Sequence, residues 1–425
     1  MFSKKDNEKV AELFELVKDR NNKYKESENP EELTATWETV WIIIGSLQET
    51  REELSEQETE MLDLILLKGR NDYKIHIILG DELKALQLLR YDTWYRENVS
   101  VGNGIWIGNG IQDQYFGTEI EMTGITRQRA AEKVAELFGT RAVCDGGYYG
   151  VWSVTDQEGK KWKFMYDGSI YTERRERGRM VRAGSEYSTE MVSPKLSYGE
   201  MGKLQEVVRC LRHHGAKVNA SCGQHVHVDA SNHTPRSLKN AMTIMYSKED
   251  ILFKALKVQT SREQEYCQKV RPMVVEKIRR MPNSTISMEK LKRVWYEGRD
   301  GSNSHYDSTR YYALNLHAVF SKGTLEWRCF ESTLHAGKVR ANITLALAIS
   351  AQAINQKCTQ MRKTEITENP AFTFRTFLLR LGLIGPEYKN VREHLLANLE
   401  GDRAWRYDRS TYECLNRNHR AEDAR

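Results

Sequence analysis

The residues best suited to chemistry begin in a short stretch, residues 116–122, where apolar and polar side chains alternate. This period of two predicts a β-strand that carries Glu119 and Glu121 on one face and directs Ile120 into a core. Two neighbouring carboxylates repel each other unless a positive charge lies between them. A hard divalent cation such as Mg²⁺, which prefers oxygen ligands, would supply that charge. A half-exposed edge strand with its acidic face in water would produce the same pattern without chemistry.

A second strand with paired polar residues is predicted at residues 223–229. His225 and His227 share one face of this strand, while Val226 and Val228 face inward. One histidine alone is more often a structural residue, but a His-x-His pair on a β-branched strand is typical of metal ligands. The stretch therefore predicts a second contribution to a metal site.

A third polar face is predicted at residues 312–330. We interpret this segment as a β-hairpin that turns at residues 322–323, which sets His317 opposite Arg328. The polar face then comprises Asn315, His317, Glu326 and Arg328. Glu326 could be a further metal ligand, and the fork of Arg328 suits phosphate or carboxylate. A purely structural Glu–Arg pair is the alternative.

Helices and further strands must position these faces. A helix is predicted after the first strand, with Thr126 as N-cap and Gly139 at its C-terminal end. Later helices are predicted at about residues 199–214, 235–257, 338–360, 371–381 and 386–399. Two strands lead to an Asp-Gly turn that contains Asp167, and a strand over residues 187–192 carries Glu190. Residues 174–182, with five arginines, are predicted to form a basic, mobile loop that could close over phosphates.

The chain is predicted to have one main domain with an appendage at its start. Residues 1–100 are interpreted as a helical N-terminal region without an obvious set of catalytic groups. A Gly-rich linker at 101–111, a catalytic domain at 112–400 and a polar tail at 401–425 complete the predicted organisation.

The composition excludes several classes of function. With 40% hydrophobic and 29% charged residues the chain is an ordinary globular protein, and its net charge of +5 over 425 residues is small. A nucleic-acid-binding or protein-binding module that uses the basic segments therefore ranks last among the functions considered. Seven scattered cysteines without Cys-x-x-Cys argue against a disulfide framework or a structural zinc site. The polar N-terminus and the absence of a long apolar run predict a cytoplasmic protein without a membrane partner.

The order of the motifs resembles the amidoligase family. The motifs are Phe-Gly-x-Glu-x-Glu, Asp-Gly-Ser, Glu-Met-Val-Ser-Pro, Gly-x-His-Val-His-Val, Leu-Asn-Leu-His and Thr-Leu-Glu-Trp-Arg. Members of this family are ATP-dependent carboxylate–amine ligases, distantly related to glutamine synthetase and γ-glutamylcysteine ligase. The resemblance covers residues 112–400 and implies an α+β fold. In that fold a curved, mainly antiparallel sheet of the glutamine-synthetase type holds ATP and Mg²⁺ on its concave face, with helices packed on its back.

The resemblance also implies roles for individual residues. By position, the metal ligands would be Glu119, Glu121, Glu190, His225 and Glu326. Arg328 would match the phosphate-binding arginine of the family, with Asn315 and His317 beside it in the ATP site. Asp167 would match the acidic position after the second hairpin. Arg328, Glu326 and Asp167 are the residues expected to act in catalysis.

The implied activity is the formation of an amide bond between a carboxylate and an amine, either of which could belong to a peptide or protein. Such ligases transfer the γ-phosphoryl group of ATP to the carboxylate, and the amine then displaces phosphate from the acyl phosphate. A zinc-dependent hydrolase that uses His225 and His227 is the main alternative. That alternative leaves the Glu-x-Glu and Glu-x-Arg pairs without a role. The sequence leaves the oligomeric state and the two substrates open.

Overall fold

The computed structural model of the protein describes residues 110–357, 359, 361–366 and 368–403. The predicted helical N-terminal region, nearly all of the Gly-rich linker and most of the polar tail lie outside these residues. The described residues fall into two compact units. One unit contains residues up to 370 together with 393–399, and the other contains 371–392 and 400–403. Within the described ranges, no helix combines the length and apolar character needed to cross a membrane.

Most strands of the described residues belong to one open sheet. In chain order the strands are β1 (Tyr115–Met122), β2 (Ala142–Gly146), β3 (Val151–Thr155), β4 (Lys161–Met165), β5 (Glu173–Glu176), β6 (Arg179–Arg182), β7 (Thr189–Val192), β8 (Leu196–Ser197), β9 (Gly223–Asp229), β10 (Leu314–Asn315) and β11 (Thr324–Glu331). The order across the sheet is β10-β11-β9-β1-β7-β4-β3-β2, and β8 also pairs with β1. Every pair of these strands is antiparallel. The fold therefore combines helices with an open antiparallel sheet.

The helices match most of those predicted. They are α1 (Arg127–Phe138), α2 (Met201–His213), α3 (Pro235–Leu256), α4 (Thr260–Glu265), α5 (Pro272–Arg279), α6 (Met288–Trp295), α7 (His317–Lys322), α8 (Ala336–Asn355), α9 (Pro370–Arg380) and α10 (Lys389–Leu396). Helix α1 begins and ends as predicted, because the Thr126 side chain accepts the Arg129 N–H and Gly139 (φ 67°) closes the helix in the left-handed conformation. Helix α1 packs on β2, β3 and β4, and α8 packs on β1 and β9.

The central strand β1 separates an apolar side from a polar side. Phe116, Ile120 and Met122 are at most 1% exposed and face the helices. Glu119 and Glu121 take the alternate positions and therefore lie on the opposite face. A slip of one residue would move every apolar side chain of β1 out of the core, so the apolar alternation fixes which side chains form the polar face.

Residues 312–330 do not form the predicted hairpin. Only β10 pairs with β11, with Asn315 opposite Glu326, and the following residues form helix α7. The Asn315 side chain accepts the Ala318 N–H at the start of this helix, and Gly323 (φ 72°) ends it. The hydrogen bond at the start and the glycine at the end stabilise a helix here, although the alternation of residues favoured a strand. His317 therefore lies on a helix, and the prediction that it pairs with Arg328 was wrong.

The basic segment is ordered into a hairpin rather than a loop. Strands β5 and β6 form a separate two-stranded sheet, joined by Arg177 (φ 47°) and Gly178 (φ 84°). Two consecutive left-handed residues are what a type I′ turn requires, and such turns match the twist of a hairpin. All five arginines are exposed. The prediction of a loop was wrong, whereas closure of this segment over a nucleotide stays a prediction.

Candidate active site

The polar face of the sheet brings together the carboxylates and imidazoles that the sequence singled out. Three cross-strand pairs form its centre: Glu119–His225, Glu121–Glu190 and His227–Glu326. Four adjacent strands, β7, β1, β9 and β11, carry these six residues. Cross-strand neighbours on one face lie within side-chain contact distance, so the sheet itself gathers the acidic and imidazole groups.

A β-bulge in β11 adds an arginine to the same region. The register shifts between Trp327 and Phe330, so that two residues, Arg328 and Cys329, lie opposite His225 alone. Such a bulge bends the strand and redirects a side chain. After the bulge the alternation of β11 is reversed, which is a feature that the regular alternation of the sequence did not predict.

The first cluster of potential metal ligands consists of Glu119, His225 and Glu326, here called the Glu119 cluster. His225 Nδ1 lies 3.0 Å from Glu119 Oε2 and 3.7 Å from Glu326 Oε1. His227 Nε2 approaches Glu119 Oε1 to 3.2 Å from the other side. Both imidazoles of the His-x-His pair therefore contact the same carboxylate.

The second cluster consists of Glu121, Glu190 and His225, here called the Glu121 cluster. His225 Nε2 lies 3.8 Å from Glu121 Oε1, so the imidazole stands between the two clusters. The Gly223 N–H donates a hydrogen bond of 2.6 Å to Glu121 Oε2. All three side chains of the Glu121 cluster are buried.

The Glu121 cluster holds its carboxyl groups in an environment that favours their protonated forms. Burial, reinforced by the negative charge of Asp167, raises the pKa of Glu121 to about 7. Burial and the neighbouring charges of Glu119 and Glu121 raise the pKa of Glu190 well above its usual value. These directions follow from removing carboxylates from water and placing them side by side. A cation in this cluster would supply the opposite charge.

The Glu119 cluster holds its carboxylates in the ionised form instead. Burial alone would raise the pKa of Glu119, but His227 and His225 outweigh it and hold that pKa well below the usual value. In the same way, Arg328 and the two imidazoles outweigh burial at Glu326 and lower its pKa to about 2. The two clusters therefore differ in charge although they share an imidazole.

Arg328 is fixed beside the Glu119 cluster. Its Nη1 lies 2.7 Å from Glu326 Oε1, and its Nε donates to the Tyr266 carbonyl oxygen at 3.2 Å. The Asn315 side chain donates to the other oxygen of Glu326 at 2.6 Å. Arg328 is 5% exposed. A buried, oriented guanidinium next to metal-ligand candidates suits the recognition of a phosphate or carboxylate.

Two of the predicted site residues stand apart from the clusters. His317, on α7, contacts the Tyr296 hydroxyl at 2.6 Å through its Nδ1. Asp167 is half-buried in its turn, where the backbone N–H of Ser169 donates to Oδ1 at 2.7 Å, yet its charge raises the pKa of both Glu121 and Glu190. Asp167 therefore belongs to the electrostatic environment of the site. The predicted roles of both residues stay predictions.

Arg262, on α4, lies near the site although the sequence did not predict it. Arg262 is 4% exposed, and its Nη2 lies 2.3 Å from the position that a Cβ at Gly223 would occupy. Its Nε is 3.7 Å from Glu331 Oε1, and within the described residues its Nε and Nη2 have no hydrogen-bond partner. The positive charge of Arg262 also counteracts the raised pKa of Glu121. Gly223, next to the His-x-His motif, was the one signal in the sequence that a side chain lies close above the strand.

The residues present fit a divalent cation. Each cluster offers two carboxylates and an imidazole whose ligand atoms lie within 4.8 Å of one another. Buried carboxylates without enough positive charge around them are costly, and the raised pKa values in the Glu121 cluster have this cause. His227 Nε2, at 3.2 Å from Glu119 Oε1, adds an imidazole at the border of the Glu119 cluster. Oxygen ligands suit Mg²⁺ and imidazole suits zinc, so the donor set alone leaves the metal open.

An open antiparallel sheet with two carboxylate–imidazole clusters and a buried arginine defines a candidate metal-binding active site. The family model described as "Putative amidoligase enzyme" matches residues 112–350, more than half of the chain. The chain belongs to this family, which makes it an enzyme of the ligase type with substrates for ligation. The family that the motif order resembled is thereby confirmed. Comparisons with the curated proteins and with the solved structures gave no match.

Proposed function

We propose that the protein is an ATP-dependent carboxylate–amine ligase that works through an acyl phosphate on a sheet of the glutamine-synthetase type. The observation that supports this most is the position of His225 between two carboxylate clusters, with Arg328 beside one of them. A phosphoryl group in transfer needs cations and positioned donors around it more than it needs a protein nucleophile. The polar face offers such an environment.

The reaction has two steps. In the first, an oxygen of the substrate carboxylate attacks the γ-phosphorus of ATP, the bond to the β–γ bridging oxygen breaks, and ADP leaves. In the second, the amine attacks the carbonyl carbon of the acyl phosphate and inorganic phosphate leaves, while the amine loses a proton. The first step converts a poor acyl donor into a reactive one, and the free energy comes from ATP.

The residues of the site divide the work. The carboxylates of the two clusters would hold Mg²⁺, which when bound would neutralise the phosphate charge that develops during transfer. Arg328, held by Glu326 and the Tyr266 carbonyl, would orient the transferring phosphate. Asn315 keeps Glu326 in place through its hydrogen bond and so supports Arg328 indirectly. Burial of these groups excludes water and strengthens each charge interaction.

The first test is the identity of the nucleotide product. With pools of candidate carboxylates and amines, Mg-ATP should give ADP and phosphate. AMP and pyrophosphate as products would contradict the proposed mechanism.

The Glu119→Gln variant should lose activity by about 100-fold or more, because Glu119 contacts both imidazoles and is a metal-ligand candidate. Glu132→Gln, an exposed change on α1, is the matched control and should retain full activity.

A zinc-dependent hydrolase is the second candidate, and one observation favours it. His225 and His227 both contact Glu119, an arrangement that could orient imidazoles around a zinc ion. This candidate predicts stoichiometric zinc in the purified protein and hydrolysis without ATP. Full activity of zinc-free protein in Mg-ATP would exclude it.

A further inference from the structure

Three tyrosines form a contiguous group, here called the tyrosine rim, in which Tyr148 and Tyr306 are exposed and Tyr149 is half-buried. The Tyr148 and Tyr149 rings meet edge to face with centroids 5.1 Å apart. The hydroxyl groups of Tyr149 and Tyr306 lie 3.4 Å apart. Tyr148 is 90% exposed and Tyr306 is 68% exposed. Contiguous exposed aromatic surface of this kind often marks a place where a ligand binds.

The tyrosine rim joins two opposite edges of the sheet. Tyr149 lies in the turn between β2 and β3, at one edge, and Tyr306 precedes β10, at the other. The strands that carry the Glu119 and Glu121 clusters lie between these edges. The contact between the two hydroxyls therefore joins segments from the two edges of the sheet.

A stack of aromatic rings and guanidinium groups leads from the rim to the site. The Arg310 guanidinium lies 5.5 Å from the centre of the Tyr306 ring and 5.6 Å from that of Tyr311. The Tyr311 ring in turn lies 5.8 Å from the guanidinium of Arg328. Three cation–π contacts thus connect the exposed Tyr306 with the arginine beside Glu326.

The backbone on both sides of the rim is anchored. The Tyr149 carbonyl accepts the Tyr166 N–H at 2.9 Å, and Arg127 donates to the next carbonyl, that of Gly150. On the other side, the Arg310 side chain donates to the His305 carbonyl at 2.9 Å. The rings of Tyr148 and Tyr306 are exposed while the backbone beside the rim is held, which lowers the entropy cost of binding a flat ligand.

We propose that the tyrosine rim and Arg310 form the subsite for the base of a nucleotide whose phosphates lie at Arg328 and the two clusters. This inference rests on the proposed function, in which a nucleoside triphosphate binds to the polar face. Every base has a π-face that stacks on tyrosine and arginine. The carboxylate and the amine must reach the γ-phosphate, at the opposite end of the nucleotide. A base bound at the rim leaves the γ-phosphate end of the nucleotide free for these substrates. The stack of side chains from Tyr306 to Arg328 then lies beside the rest of the nucleotide.

The contact between the two hydroxyls is compatible with entry of a base. A hydrogen bond between exposed groups contributes little, because each hydroxyl can bind water instead. The Tyr149 and Tyr306 rings can therefore separate to receive the base, and each then offers a face for stacking.

The test compares two probes that differ in the base. Isothermal titration calorimetry with a Mg-bound, non-hydrolysable ATP analogue and with Mg-tripolyphosphate should give tighter binding of the analogue to the unaltered protein. Tyr306→Ala should weaken binding of the analogue by about tenfold, the size expected for one lost stacking partner. Binding of tripolyphosphate should stay unchanged. Tyr306→Phe keeps the aromatic face and should bind the analogue like the unaltered protein.

Tyr115→Ala is the matched control, since Tyr115 is also exposed (48%) and also stacks on a cation, Lys195, but at the start of β1. It should change neither affinity. Equal affinities of the unaltered protein for both probes, or unchanged affinity in Tyr306→Ala, would overturn the base subsite while leaving the proposed function intact. If neither probe binds, the proposed function itself is overturned. Thermal melts of the three variants verify that each substitution leaves the fold intact.

Discussion

At the scale of single residues, Glu119 and Glu121 are neighbours on one face but have opposite electrostatic surroundings. The alternation of β1 suggested mutual repulsion between them. The structure places two imidazoles against Glu119, which hold its pKa low, whereas Glu121 is buried near Glu190 and Asp167. The cost of repulsion therefore falls on the Glu121 cluster.

This difference predicts how stability changes with pH in the metal-free protein. The pKa of Glu121 is 4.5 in the unfolded reference and about 7 in the folded protein, so the folded state binds more protons between these values. The contribution is fully present below pH 4.5 and is lost as the pH rises through 7, by at most about 3 kcal/mol. Glu121→Gln should therefore reduce the loss of stability between pH 5.5 and 8.5, measured by urea unfolding in a chelator.

Glu119→Gln provides the contrast. The carboxylate of Glu119 is stabilised by His225 and His227, so this variant should be less stable than the unaltered protein at pH 7 without metal. If Glu121→Gln leaves the pH dependence unchanged, Glu121 titrates at its ordinary value and the description of the Glu121 cluster is wrong.

At the scale of elements, Gly223 is where helix α4 meets the sheet. A Cβ at this position would lie 2.3 Å from Arg262 Nη2, so Gly223→Ala must displace a buried guanidinium. We expect a loss of about 1–3 kcal/mol, the usual cost of overpacking, measured by urea unfolding. Gly202→Ala, in α2 with nothing within 4 Å of the added methyl group, is the control and should be neutral or stabilising.

A double variant identifies the cause. In an Arg262→Ala background the guanidinium is gone, so adding Gly223→Ala should cost much less than it does alone. Additive effects of the two changes would mean that the strand, and not Arg262, excludes the methyl group.

The elements that the sequence predicted well are those in which one periodicity governs the whole segment. Strands β1 and β9 alternate regularly, and α1 carries its own N-cap and C-terminal glycine, so local residues determine these elements. The bulge of β11 depends on its pairing with β9, so the sequence of β11 alone does not predict it. Helix α7 shows the same limit, because residues 314–318 alternate in a way that suits a strand but the helix begins within them, at His317.

The residues that the sequence indicated for the site lie on regular strands, whereas Arg262, which it did not indicate, lies on a short helix. Strand parity and motif order put Glu119, Glu121, His225 and Glu326 on one polar face, and the structure brings them together in the two clusters. Arg262 and the Tyr306–Arg310 segment come from residues 257–311, where the helices have at most eight residues and are separated by loops, so that no long periodic pattern develops. Their position depends on tertiary packing, which a single sequence does not reveal.

At the scale of the whole molecule, cation binding should couple to global stability. The chain carries a net charge of +5, so the overall field does not attract cations and any affinity must come from the local clusters. Ligands that bind only the folded state stabilise it, by about 2.7 kcal/mol at a hundredfold excess over Kd. Mg²⁺ should therefore raise the melting temperature more at pH 8 than at pH 5.5, where protons occupy the Glu121 cluster.

Potassium chloride at matched ionic strength is the control for this prediction, because a screening effect would be reproduced by any salt. Glu326→Gln should lose most of the Mg²⁺-dependent stabilisation. An equal rise of the melting temperature at both pH values would mean that the ion binds elsewhere.

His225 sets a further constraint, because a neutral imidazole has only one lone pair and one N–H. Its Nδ1 faces the Glu119 cluster and its Nε2 faces the Glu121 cluster. A lone pair directed at a cation in one cluster obliges the ring to present its N–H to the carboxylate of the other. The two clusters are therefore alternatives for this ligand: the tautomer of a single side chain decides which of them is complete, and moving one proton across the ring exchanges their roles.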